Sequence, residues 1–323
     1  MTRRWLCGWC AIALAAAHFA ASAVAAPEPA ASAAAAPKPG SSPRVKPCLV
    51  PGVGKPLDRV WRPDMLAAIG YNDTRTGDIA FAVRTDTRFY SYRPDHDEWS
   101  ASVVKAMLLV AYLNEPWVSG RDLTGHDRAL LTPMITESDN DAAQSVFDIV
   151  GQSALQALAG RVGMTHFATS PIWGETEITA SDQTRFFLHI DSYIPRRHRS
   201  YAMSLLAGVV PSQRWGIGEV APRGWKLYFK GGWGYGTGLL DHQVALLVRG
   251  CARVSIAVLT MYDGSHAYGK ATLRGIFARL LRGLPTGRRS TRRPRRPGGG
   301  ARDGPNGRAP QARPLHSASH DGA

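Results

Sequence analysis

The sequence predicts an α+β fold in which an antiparallel sheet is formed by both chain ends and a helical lobe is inserted between them. Three observations predict it. Short apolar segments of strand character occupy residues 79–92 and return at residues 225–261. Helical candidates fill the stretch between. The late strands are joined by hairpin-length links, which suit antiparallel neighbours.

Taken in order, residues 79–83 and 88–92 read as two strands. Turn-forming Thr76-Gly77-Asp78 precedes the first, and polar Thr85-Asp86-Thr87 joins the pair. Residues 102–113 read as a helix of strong apolar content. Residues 141–150 and 153–162 read as two more, the second closing on Gly163 as a C-cap. Residues 181–190 and 200–209 are further helices. Residues 225–230 alternate as a strand, and 242–248 and 254–261 follow as two others. Residues 270–284 form a closing helix with Leu273, Ile276, Phe277, Leu280 and Leu281 on one face.

The two ends read differently from this body. Residues 1–26 have Arg3 and Arg4, an apolar run without a stop-transfer flank, then Ala23-Val24-Ala25, the order of a secretory signal peptide. A secreted, extracytoplasmic location follows as an expectation. Thr2-Arg3-Arg4-Trp5-Leu6 is a weak twin-arginine-like opening, so two export routes stay open. Cys7 and Cys10 form a C-x-x-C inside the segment to be removed, which argues against a redox role. Residues 27–47 are an Ala/Pro-rich linker that buries too little apolar surface to order itself. Residues 285–323 are an Arg/Pro/Gly-rich tail whose nine Arg and two Asp give +7. Of the formal +14, that tail and the two leader arginines leave +5 on the rest, so the high pI says little about the fold. The tail reads as a disordered appendage, with charge-driven contact to anionic wall polymers or lipid as its functional alternative. No specific nucleic-acid partner is expected. Residues 48–284 make one domain of one or two lobes. Its two cysteines, Cys48 and Cys251, read equally as a disulfide or as two buried thiols.

Chemistry enters at Trp99-Ser100-Ala101-Ser102-Val103-Val104-Lys105. Ser102 and Lys105 stand three apart on one helix face, near a first turn whose free N–H groups favour negative charge. A hydroxyl needs a base to become a nucleophile, and a lysine among Met107, Leu108, Leu109 and Val110 is pushed toward its neutral form. Alone, S-x-x-K is a common pattern that also describes a surface lysine at a core helix. Ser138-Asp139-Asn140 stands before the next helix and reads equally as a cap. Lys230-Gly231-Gly232 ends the alternating strand, with Lys230 on the face opposite Trp225, Leu227 and Phe229.

In this order the three motifs resemble those of the penicillin-recognising serine hydrolases, the class A β-lactamases and related penicillin-binding D,D-peptidases, whose signature is S-x-x-K, S-D-N and K-T-G. The resemblance spans nearly the whole body and implies that family's sheet, helical lobe and intervening active site. It implies Ser102 as the acylated nucleophile, Lys105 as its proton partner and Ser138 as proton carrier to the leaving group. Asn140 would hold the substrate amide, and Lys230 would face its carboxylate and support Ser138. Gly231 and Gly232 would border the substrate. The oxyanion hole would use the Ser102 N–H and one from a residue just after Gly232, such as Tyr235 or a neighbour.

Two departures matter. Gly231 stands where the family has a hydroxyl residue; Thr237 is the candidate replacement. Between Asn140 and Thr179 no motif matches the family's omega-loop glutamate. The carboxylates there, Glu175 and Glu177 in Trp173-Gly174-Glu175-Thr176-Glu177, read first as solvated charges before the next helix and only second as deacylation candidates. The expectation is a serine hydrolase, a monomer without metal or other cofactor, that is acylated by β-lactams or related amides and turns them over weakly. Its substrate would be a small molecule or a cell-wall peptide. The alternatives are a D,D-carboxypeptidase on peptidoglycan stems and a wall-binding homologue without turnover. No G-x-S-x-G, H-E-x-x-H or P-loop competes.

Overall fold

The computed structural model describes residues 47–234 and 240–286. The leader, the linker to residue 46, the tail beyond residue 286, and Tyr235 and Thr237 lie outside the described residues. The principal elements are α1 (Met65–Asn72), β1 (Asp78–Arg84), β2 (Phe89–Tyr92), β3 (Glu98–Trp99), α2 (Lys105–Asn114), α3 (Gly125–Thr136) and α4 (Asn140–Val162). They continue as β4 (Glu177–Ile178), α5 (Ala180–Leu188), α6 (Arg199–Ala207), β5 (Lys226–Gly234), β6 (Leu240–Arg249), β7 (Ala252–Met261) and α7 (His266–Leu280).

Five strands form one antiparallel sheet in the order β2-β1-β7-β6-β5. Both chain ends therefore build it, as the patterning predicts. Alternation divides its side chains between two cores. Ala80, Ala82, Val244, Leu246, Ala257 and Leu259 face the helical lobe. Ile79, Phe81, Val83, Ala245, Ile256 and Val258 face α7, whose stripe of Leu273, Ile276, Phe277 and Leu280 is fully buried. β5 is a sheet edge, and this edge meets the start of the helical lobe.

Several boundaries differ from the sequence reading for identifiable reasons. Ser102 sits in a tight 3₁₀ turn, Ala101–Val104, and the α-helix begins at Lys105. The two helices expected at 141–150 and 153–162 form one element interrupted at Gly151, whose φ of 68° and ψ of 176° only glycine adopts readily. Gly163 ends it in the left-handed conformation at φ 77°. α3 went unrecognised because Pro133 lies inside it and its apolar pattern is weak, although Thr124 and Asp127 make a capping box. A Cys48–Cys251 disulfide ties the segment before α1 to the β6–β7 turn across 203 residues of chain. Among the described residues, no helix is long and apolar enough to cross a membrane.

Candidate active site

The nucleophile candidate lies where the chain turns from β3 into the lobe. Ala101 has φ 40°, a left-handed conformation that costs a non-glycine residue on the order of 1 kcal/mol or more. The Ser100 N–H donates to Thr176 O at 2.8 Å, and the Val103 N–H to Ser100 O at 3.0 Å, which hold the turn. Ser102 is 8% exposed, and among the described residues its hydroxyl has no hydrogen-bond partner. One turn on, Lys105 is fully buried in a helix whose first nine residues are all buried. Its Nζ donates to Ser138 O at 2.6 Å and Asn140 Oδ1 at 2.7 Å, with Asp139 O at 3.2 Å and Ser138 Oγ at 3.4 Å. The Trp173 ring covers the amine at 4.7 Å. Burial lowers this amine to about 7, with Asp139 opposing the shift.

The Ser138-Asp139-Asn140 triplet divides its labour. Asp139 is the N-cap of α4, its Oδ1 accepting from the Ala142 N–H at 2.7 Å. Ser138, at φ 61°, and Asn140 turn instead to Lys105. The capping is done by Asp139, which leaves Ser138 and Asn140 free to bond to Lys105. From β5, Lys230 Nζ donates to Ser138 Oγ at 2.9 Å and to Gly231 O at 2.8 Å. Lys230 is 1% exposed; burial, and then the neighbouring Lys105, hold its amine well below the ordinary range.

The glycines after Lys230 have unlike surroundings. A Cβ on Gly232 would stand 2.9 Å from Ser100 O, 2.9 Å from Ser102 N and 3.0 Å from Val103 N, so only glycine lets β5 approach the serine turn. A Cβ on Gly231 would point at Trp215 Cη2, 3.4 Å away. That is an ordinary contact, so a small side chain at Gly231 would lie against the rim of the indole. Because Gly231 O points out of the β5 edge to meet Lys230 Nζ, alternation sends the N–H of Trp233 out of that edge too. The resemblance expects the second oxyanion donor just after Gly232, at Tyr235 or a neighbour; Trp233 is a neighbour whose N–H is free of β6, while Tyr235 lies outside the described residues.

A cavity of about 200 Å³ opens beside these groups, lined by Ser102, Asn140, Trp173, Glu175, Trp233 and Gly234, with Ile172 also on its wall. Glu175 thus shares the cavity with Ser102. Glu177 is exposed, pairs with Trp99 across β3–β4 and lines a different hollow. Trp233 is propped from behind by His266, stacked at 5.9 Å, and by Trp215, edge-on at 5.8 Å. His266 Nδ1 lies 2.6 Å from Asp241 Oδ1. Sequence spacing gives no sign of this His266–Asp241 pair, since 25 residues separate its members. Among the described residues, no group of three His, Cys, Asp or Glu side chains is placed to hold a metal ion.

Comparison with known proteins agrees with this architecture. Residues 125–282 match the model of the family described as "Beta-lactamase enzyme family". Over those residues the chain resembles this family, and its fold is β-lactamase-like. The β-lactamase-like fold recurs in the β-lactamase from Sphaerobacter thermophilus, at 18% identity and a TM-score of 0.61, covering 70% of this chain and 98% of that one. A β-lactamase from Xanthomonas campestris superposes with a TM-score of 0.59 at 16% identity, covering 68% and 97%. The class A β-lactamase from Mycobacterium abscessus does so at 0.57 and 18%, covering 68% and 98%. No curated protein matches the sequence.

Proposed function

We propose that this β-lactamase-like chain is an exported serine hydrolase that works through an acyl-enzyme on Ser102 and turns over β-lactams weakly. One observation carries the reading: Lys105 and Lys230 reach the same Ser138 hydroxyl from two elements, in a buried pocket beside Ser102. Burying two amines costs desolvation that packing alone does not return. In this reading the neutral fraction of Lys105, which burial enlarges, takes the proton of Ser102 as its oxygen attacks the carbonyl carbon. The carbonyl oxygen becomes an oxyanion between the N–H groups of Ser102 and Trp233. Collapse of the tetrahedral adduct breaks the C–N bond; Ser138, hydrogen-bonded to Lys230, passes a proton to the departing nitrogen and takes one from protonated Lys105, which returns that amine to its neutral form. Water then has to cleave the ester. Glu175 is the carboxylate that shares the cavity, but it stands in no omega-loop motif, which supports slow deacylation.

Intact-protein mass spectrometry with a penicillin and a chromogenic cephalosporin tests this. A one-to-one adduct, absent in Ser102→Ala, with slow steady-state hydrolysis is expected. Labelling that survives Ser102→Ala, or fast turnover with no adduct accumulating, rejects the proposal. A D,D-carboxypeptidase would use the same acylation, and product masses from purified muropeptides separate the two.

A further inference from the structure

A second hollow, of about 670 Å³, lies between α6 and the far end of β5 and is larger than the serine cavity. Its floor is read from strand register. Lys226 pairs with Val248 and Val248 with Arg253, while Tyr228 pairs with Leu246, so these side chains share one sheet face. α6 covers that face with Met203, one turn from Arg199. Tyr228, Leu246, Val248 and Met203 make an apolar floor, and Arg196, Arg199, Lys226 and Arg253 bring four positive charges to its rim.

The charges are not balanced. Asp191 is the acidic side chain lining the hollow, and Arg253 engages it at 2.6 Å while also donating to Leu188 O at 2.7 Å. Among the described residues, Arg196, Arg199 and Lys226 take part in no ion pair. Among the described residues Arg199 has only a long bond to Ile194 O at 3.4 Å, and its buried Nε has no partner there. Arg196 and Lys226 are exposed and hydrated, so their mutual repulsion is screened, but with half-buried Arg199 they give the hollow a positive potential that favours an anion. A guanidinium fork is shaped for the paired oxygens of a carboxylate or phosphate. The volume falls in the range of small-molecule sites, which join apolar walls to a few convergent polar groups.

We infer that this hollow binds an organic anion with an apolar body, an alkyl or aryl phosphate or carboxylate, its head at Arg199 and Lys226 and its body on Met203, Tyr228 and Val248. Lys226 lies four residues before Lys230 on β5, about 13 Å along the strand. The site is therefore separate from the serine cavity, and it stands or falls independently of the proposed hydrolysis.

Calorimetric titration of the full chain with decyl phosphate below its micellar concentration tests the inference without using activity. One-to-one binding is expected, weakened at least tenfold in Arg199→Gln and in Lys226→Gln and weakened again by added salt. Decyltrimethylammonium should not bind. Lys226 is exposed, so its variant should melt as the wild type does and serves as the folding control. Absence of binding, equal binding of the ammonium compound, or affinity unchanged in both variants would overturn the site. Inorganic phosphate binding as tightly as decyl phosphate would overturn the apolar body of the ligand.

Discussion

Lys105 and Lys230 meet on one oxygen, their Nζ atoms 3.4 Å and 2.9 Å from Ser138 Oγ. Two full positive charges this close and this buried are costly, and both amines are displaced toward neutrality by burial. If Lys105 is the base for Ser102, its neutral fraction sets the acylation rate. That fraction falls tenfold for each pH unit below about 7 and saturates above it. The second-order rate of penicillin acylation should therefore rise with a slope near one up to about pH 7, then level off. Stopped-flow labelling from pH 5 to 9 measures this. A flat profile would remove Lys105 from that role.

How much of this could be read beforehand depended on the range of the interaction. The sheet, its mixed origin from both chain ends and the late hairpins follow from period-two alternation, a local property. Ser102 and Lys105 were legible for the same reason, being one turn apart. What joins Ser138 to Lys230 is a contact across 92 residues, and resemblance to a known order of motifs supplied it. The contact of Gly231 with the indole of Trp215 left no trace in the sequence around Gly231. Nor did the separation of Glu175 from Glu177, two carboxylates two residues apart that face different hollows.

That separation gives a paired test. Glu175→Gln should lengthen the lifetime of the Ser102 adduct at least tenfold if the residual water attack runs through this carboxylate. Glu177→Gln should leave the lifetime within about twofold. Adduct decay followed by mass spectrometry reads both. Equal small effects would leave deacylation to solvent alone.

The neighbouring glycines give another. Gly232→Ala places a methyl group against three backbone atoms of the serine turn, none of which can swing aside. A loss of about 1–3 kcal/mol in stability should accompany at least a tenfold loss of labelling. Gly231→Ala meets only the rim of Trp215 and should retain most of both. Urea unfolding and labelling rates check the contrast; a Gly232→Ala protein labelled at the wild-type rate would contradict the close approach of β5.

The Cys48–Cys251 bridge closes 203 residues of chain. Cross-links of this kind restrict the unfolded ensemble and typically stabilise by about 2–4 kcal/mol. A paired Cys48→Ser, Cys251→Ser variant should unfold at lower urea but keep its labelling by penicillin, since neither cysteine lines the serine cavity. Unchanged stability together with free thiols in the wild type would rule the bridge out.

The support behind Trp233 predicts an acid-favouring contribution to stability. Asp241 is 1% exposed; burial, and then Asp263, raise its carboxyl to about 8, with Lys270 opposing. His266 is lowered by burial and by Lys270. A raised carboxyl beside a lowered imidazole favours a neutral hydrogen bond over an ion pair at their 2.6 Å contact, and this is the state the prediction assumes. The folded chain holds this proton more tightly than the unfolded one, whose aspartates ionise near 4. The contribution is complete below pH 4 and is lost as pH rises toward 8. Asp241→Asn keeps the shape and removes the titration. Wild type measured against this variant should thus lose urea midpoint between pH 5 and pH 8. Because His266 also stacks on Trp233, His266→Ala should slow acylation while Asp241→Asn slows it less. A wild type that tracks Asp241→Asn across the pH range would show that Asp241 is ionised in the folded chain, and the neutral hydrogen bond behind Trp233 would have to be abandoned.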